Sequence, residues 1–449
     1  MGVLFDKGPG NVEPPSTTAD VPSGQPRLRV PQRNQVEMHY AALDELLEPG
    51  HAVRSVWAAV CGMDLGRWLK AIKAVEGNVG RDANDPRLLL ALWIYATLDG
   101  VASAREVARL CEHCLPYRWL CGHVSMNYHT LSDFRSAHVE SWDELLTQIV
   151  AGLLTEGLVT MNRVAQDGMR VRAKAGKSSF RRRATLEQCL ADARQQVETL
   201  KRLADEAPDE LTNRQRAARE RATRERAARV EEALRHCEQL QQQREERAKK
   251  TCKPAKEARA STTDAEARTM HFADGGYRPG YNVQFSTDTA SGVIVGVDVV
   301  NTGSDAEQLS PMLEQLERRY GRTPAEALVD GGFGTKEAID DAAAQGSTVY
   351  APLKEEARQK ASGKDPHARK SGDTEAVAAW RARMGTAAAK AIYQLRCQTA
   401  EWVNAVARNH GLQQMPVRGR LRCRTIALLH AIAHNLMVAD RLRRRPQVT

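Results

Sequence analysis

The sequence predicts an α plus α/β chain: an all-helical front, then an α/β layer interrupted by a long helical hairpin. Three observations carry this. Apolar residues recur at helical spacing from Val53 to about residue 155. Beyond Leu158, short apolar runs of strand length alternate with amphipathic stretches. Between the two grammars, Leu186, Leu190, Ala193, Val197 and Leu200, then Ala227, Val230, Leu234 and Cys237, repeat at alternating four and three around Pro208.

Residues 1–45 precede these patterns and hold Pro9, Pro14, Pro15, Pro22, Pro26 and Pro31 among glycines and polar residues, which reads as a disordered leader. In the helical front, Val53, Trp57 and Val60 form one apolar face, Leu65, Trp68, Leu69 and Ile72 a second, and Leu88, Leu89, Leu92, Trp93 and Ala96 a third. Ser103 is placed to cap a helix through Leu110, and after a turn at Leu115 and Pro116 the run Asn127 to His138 supplies another helix with Leu131 and Phe134 inward. Helices over 103–112 and 127–138 read as a helix-turn-helix in which Asn127, His129, Ser132 and Arg135 face DNA, with Arg105 and Arg109 adding positive charge. An ordinary helical subdomain fits the same pattern.

A strand is expected from Leu158 to Ala173, surfacing at Asp167-Gly168, followed by the hairpin over residues 181–260. Strands then follow at Tyr281 to Phe285 and Val293 to Val300, a helix from Ala306 to Tyr320, and a strand from Ala327 to Asp330. A helix from Lys336 to Gln345, a strand at Val349 to Ala351, a charged loop, and helices at Thr386 to Asn409 and Thr425 to Arg443 complete the chain. The expected domains are residues 46–155, helical and DNA-binding, and 156–449, catalytic with the insertion.

Composition narrows the function classes. With 449 residues the chain buries cores without staples, and 65 Lys and Arg against 56 Asp and Glu give a net charge of +9, which favours a polyanionic partner. Nine scattered cysteines with no cleavable signal before them point to reduced thiols in a cytosol. The longest apolar run, Leu88 to Leu98, is too short to cross a bilayer, so no membrane partner is expected.

Asp167 and Asp330 each close a short apolar run directly before glycine, where a buried strand presents its last side chain at a sheet edge. Mg²⁺ prefers such hard oxygen donors, drawn from several segments, and keeps positions open for water and substrate. For a lone Asp-Gly, plain turn chemistry is the commoner explanation. A third acid is available in Glu401, on a helix whose Tyr393, Arg396 and Arg408 fall on the same arc at about 100° per residue, so that one face offers a metal ligand together with DNA-binding groups, the arginines as cations for phosphate. A solvated charged face is the competing reading, and Glu355, Glu356, Asp340 and Asp341 are other candidates. Cys111, Cys114, Cys121 and His123 sketch a zinc site, against which stands a helix-end core. Arg181, Arg182 and Arg183 beside Lys174 and Lys177 suit either phosphates or a solvated face.

In order along the chain stand Asp85-Pro86 through Gly100, Ser103-Ala104-Arg105-Glu106, Tyr128 through Arg135, and Asp167-Gly168-Met169-Arg170-Val171. Gly276 through Gln284, Val329-Asp330-Gly331-Gly332-Phe333, Val417-Arg418-Gly419 and Ala433-His434-Asn435-Leu436 follow. In these blocks the chain resembles the insertion-sequence DDE transposases with a helical N-terminal domain. The resemblance implies a ribonuclease-H-like catalytic domain whose metal-binding and catalytic triad falls on Asp167, Asp330 and Glu401. It implies Mg²⁺ or Mn²⁺, two ions, as cofactor, with Tyr393 and Arg396 in a Tyr–Arg–Glu helix signature and Arg408 where Lys is frequent. Terminal inverted repeats and target DNA are the implied partners, with a homo-oligomer assembled on them. A DNA-binding or assembly protein that has lost catalysis is the alternative, and a host nuclease on the same fold a third reading.

Overall fold

The computed structural model describes residue 36 and residues 40–77, 82–137, 139–206, 213–252 and 254–444. All of the expected leader except residue 36 and residues 40–45 lies outside these, as does the turn at Pro208. Residues 1–42 and 43–449 form separate units, and every regular element described belongs to the second.

Among the described residues, seven helices open the second unit: α1 (Ala52–Cys61), α2 (Gly66–Lys70), α3 (Pro86–Leu98), α4 (Ala104–His113), α5 (Leu115–Cys121), α6 (Tyr128–Ala137) and α7 (Val139–Thr155). Local chemistry sets their starts. Asp85 accepts from the Arg87 amide at 2.8 Å with Pro86 at the first helical position, and Ser103 accepts from the Glu106 amide at 3.4 Å. The expected turn at Leu115 and Pro116 is instead α5, which needs only Cys114 as its link to α4 because proline suits a first helical turn. A third helix therefore stands between α4 and α6, so the short-turn helix-turn-helix is not what the chain builds.

The sheet contains β1 (Arg163–Arg172), β4 (Arg268–His271), β5 (Tyr277–Asp288), β6 (Ile294–Val300), β7 (Glu326–Leu328) and β8 (Thr348–Tyr350). From one edge the strands run β6-β5-β1-β7-β8, antiparallel across β6-β5-β1 and parallel across β1-β7-β8, while β4 pairs with the start of β5. Helix α10 (Leu309–Tyr320) packs on β6, and α11 (Lys336–Ala344) lies between β7 and β8 in the chain. The charged stretch expected as a loop contains α12 (Glu356–Ala361) and α13 (Glu375–Met384). Charge hides the latter's face: Thr374 caps it, and Val377, Trp380 and Met384 are buried at helical spacing.

Between β1 and β4 the chain leaves the sheet through β2 (Phe180–Arg181), α8 (Arg183–Glu206), α9 (Asn213–Thr251) and β3 (Ala260–Ser261), with β2 and β3 paired as a clasp at the base. Leu186, Ala233, Cys237, Ala258, Ala260 and Ala265 form an apolar cluster of their own, apart from the main core.

The chain closes with α14 (Ala387–Arg396), a π-turn (Cys397–Glu401), α15 (Trp402–Asn409) and α16 (Arg420–Arg443). Helix α16 packs on α3, α7 and β6, so helical front and sheet share one core. Buried Asn435 fixes the contact: its Oδ1 accepts from the Ile294 amide and its Nδ2 donates to the Ile294 carbonyl, each at 2.8 Å, satisfying groups that burial would otherwise leave unpaired at about 1–3 kcal/mol apiece. No helix among the described residues is long and apolar enough to cross a membrane.

Candidate active site

Pairing between β1 and β7 ends at Ala165 opposite Leu328. Asp167 and Asp330 each stand two residues further on, so the parallel register brings them side by side on one face. Asp167 is not at a strand end, as Asp-Gly suggested: it sits within β1, opposite Phe285 of β5. Gly168 serves the sheet and not a turn. Its missing side chain leaves room for the Asp305 carboxylate and for Gln284 Nε2, which a Cβ there would meet at 2.5 Å; Asn282 Nδ2 and Gln284 Nε2 donate to Asp305 Oδ1 at 2.6 and 2.7 Å. At Asp330, by contrast, the chain turns. Oδ1 accepts from the Gly332 amide at 2.7 Å, so tightly that a Cβ at Gly332 would lie 2.8 Å from it.

The late helix covers Asp167. Arg396 Nη2 lies 2.9 Å from Asp167 Oδ1 and Asn404 Nδ2 donates to Asp167 Oδ2 at 2.9 Å. Arg396 Nη1 reaches Glu401 Oε1 at 3.0 Å, so one guanidinium joins two of the three acids. That contact spans five positions, which on a regular α-helix lie about 140° apart; the π-turn between them widens the coil and closes the gap. Thr399 helps to hold the turn, its hydroxyl donating to the Leu395 carbonyl at 2.8 Å. The face deduced from 100° per residue is therefore corrected by this irregularity.

Burial dominates the electrostatics. It pushes the Asp167 carboxyl above the usual range; Arg396 opposes that, while Asp330 and Asp305 add to it. For Arg396 itself burial favours losing the proton, yet the surrounding acids, Asp167 foremost, raise it overall. Both partners are thus raised, Asp167 chiefly by burial and Arg396 by the acids around it. Tyr393 is half-buried beside the same groups, its phenol raised by burial. Arg408 is exposed on α15 and has no ion-pair partner among the described residues.

Among the described residues no three His, Cys, Asp or Glu side chains converge as a metal-holding group. Arg396 is buried and Asp167 half-buried, its side chain 18% exposed, whereas the Glu401 side chain is 54% exposed and held by Arg396. The donors still suit a hard divalent ion: Asp167 and Asp330 offer carboxylate oxygens from neighbouring strands, and the buried Asn404 amide that donates to Asp167 has an Oδ1 without a partner. Of the other candidate acids, Glu356 pairs with Lys360 at 2.6 Å, Glu355 with Arg358 at 3.4 Å and Asp340 with Thr374, while Asp341 lies on α11. The cysteines form no zinc site either; Cys111 and Cys121 are buried thiols paired with each other.

In the helical front, Arg135 does not face DNA. It is 5% exposed, its Nη1 donates to the Ala102 carbonyl at 2.7 Å, and its guanidinium lies 4.1 Å from the Trp93 ring centre, with burial lowering it to about 10. Arg105 is exposed and covers the Tyr128 ring at 5.0 Å, and Arg109 pairs with Glu106 at 2.6 Å. At the hairpin base Arg182 pairs with Glu257 at 3.0 Å and Arg183 with Glu187 at 2.8 Å, while Lys174 donates to the Pro416 carbonyl. Sequence reasoning missed Asn404 and Asp305. Asn404 alone left a trace, a polar residue between Val403 and Val406 on an otherwise buried stripe.

Residues 250–436 match the family described as a transposase DDE domain, and residues 41–137 match that described as a transposase domain (DUF772). The first match contains Asp330, Arg396 and Glu401; Asp167 falls between the two. No curated protein and no solved structure matches the chain.

Proposed function

The chain belongs to the insertion-sequence DDE transposases, which act on DNA, and we propose that it binds its element's terminal inverted repeats, cleaves phosphodiester bonds there and joins the freed 3′-hydroxyl to target DNA. The observation that carries this is the register of β1 and β7, which sets Asp167 beside Asp330 under a helix carrying Arg396 and Glu401. The strand order β6-β5-β1-β7-β8, antiparallel on one side of β1 and parallel on the other, supports a ribonuclease-H-like reading of the sheet.

Asp167, Asp330 and Glu401 are the residues that would hold two Mg²⁺ or Mn²⁺ ions. Bound there, such ions activate a water or 3′-hydroxyl as nucleophile and neutralise the leaving oxygen. The chain's own groups position and balance charge. Arg396 fixes the carboxylates of Asp167 and Glu401 relative to one another, and Asn404 fixes the plane of Asp167. Exposed Arg408 serves as a phosphate contact from the same helix, and half-buried Tyr393 lines its approach. Arg105 remains a candidate DNA contact at the helical front, whereas Arg135 is structural. A cytoplasmic protein, associated with the nucleoid and forming a homo-oligomer on paired DNA ends, fits this activity.

The test incubates the full chain with DNA ends taken from the sequence immediately flanking its coding region and with a target plasmid. Joined products with Mg²⁺, and none with EDTA, are expected. Cleavage without joining would favour a host nuclease; binding without cleavage would favour an assembly protein.

A further inference from the structure

The helix side chain that reaches Asp167 beside Arg396 is Asn404, whose buried amide has one end committed and the other free. Asn404 is 3% exposed, its Nδ2 donates to Asp167 Oδ2 at 2.9 Å, and its Oδ1 is buried without a hydrogen-bond partner. The amide's orientation follows: an ionised carboxylate only accepts, so the NH₂ is the end that meets Asp167 and the carbonyl oxygen is left for another partner. A buried carbonyl left unpaired has lost its hydrogen bonds to water and gained none in return. A chain therefore keeps one beside an acid when something else occupies it. Glu401 does not take that place here, since its carboxylate is tied to Arg396 at 3.0 Å and more than half exposed.

We propose that Asn404 Oδ1 is a neutral oxygen ligand of the divalent cation held by Asp167. The inference rests on the cation site proposed above and adds to it a residue outside the three acids. Carbonyl oxygens of Asn are ordinary ligands for hard cations, and a neutral donor limits the negative charge gathered beside Asp330 and Asp305.

Mn²⁺ binding to the full chain, followed by the loss of free-ion electron paramagnetic resonance signal, tests this without reference to activity. Asn404→Leu keeps the volume and removes the oxygen; it is expected to weaken Mn²⁺ binding about tenfold or more, and Asn404→Asp to tighten it by a comparable factor. Asp167→Asn is expected to abolish binding. If Asn404→Leu melts cooperatively, even at lower temperature, with unchanged Mn²⁺ affinity, its role is only to brace Asp167 and the inference fails while the site stands. Should Asn404→Leu not fold, Asn404→Asp decides: unchanged affinity overturns the inference. Binding unaffected by Asp167→Asn, or absent from the unaltered protein, overturns the cation site and this inference together.

Discussion

Arg396 and Glu401 stand five positions apart on one helix and still form an ion pair of 3.0 Å, because the π-turn at Cys397–Glu401 brings i and i+5 onto the same side. The same guanidinium holds Asp167 at 2.9 Å with its own side chain only 8% exposed.

Removing that guanidinium leaves Asp167 desolvated and unpaired. Arg396→Met is expected to cost about 3–5 kcal/mol, the range for breaking a buried pair, read from urea denaturation. A loss below about 1 kcal/mol, the scale of a surface pair, would show that the pair is solvated in solution.

Gly168→Ala places a methyl group where the Asp305 carboxylate and Gln284 Nε2 sit. Overpacking of this kind costs about 1–3 kcal/mol, so a lower thermal midpoint is expected. An unchanged midpoint would mean that Asp305 does not occupy this position.

How much of this was legible follows from which forces are local. The caps at Asp85 and Ser103 act within one turn, so sequence alone reveals them. Asp167-Gly168 misled because both residues favour turns, while the reason for glycine here is a carboxylate contributed from position 305. Arg135 sits on the expected helix, but only the folded structure puts Trp93 beneath it. The π-turn escapes any argument at 100° per residue, and Arg396, legible as a phosphate contact, spends its charge on two of the acids.

Acid should loosen the last helix. His430 lines a cavity of about 610 Å³ between α15 and α16, and burial, with His410 nearby, pushes its imidazole down to about 3. A folded-state value below the unfolded 6.5 means that the unfolded chain takes up the proton first. The stability contribution is full above pH 6.5 and is lost as pH falls through the window down to about 3, at up to about 1.4 kcal/mol per pH unit. His430→Leu should flatten the fall in melting temperature between pH 6.5 and 5; an unchanged slope would refute the assignment.

The hairpin's separate apolar cluster predicts that replacing residues 185–257 with a short Gly/Ser linker, keeping the β2–β3 clasp, preserves cooperative unfolding. Metal-dependent nicking of nonspecific DNA should survive, with assembly on paired ends lost. Failure to fold would show that α8 and α9 support the main core.

The central claim is that Asp167, Asp330 and Glu401 form one catalytic unit. Its most direct measurement is Mg²⁺-dependent cleavage of inverted-repeat DNA by Asp167→Asn, Asp330→Asn and Glu401→Gln, each beside a gel shift on the same DNA. Each substitution is expected to lower cleavage by roughly 10²-fold or more, the scale of losing one preorganised charge-stabilising group, with end binding nearly intact. Full cleavage by any one of the three, Glu401→Gln above all, would contradict it.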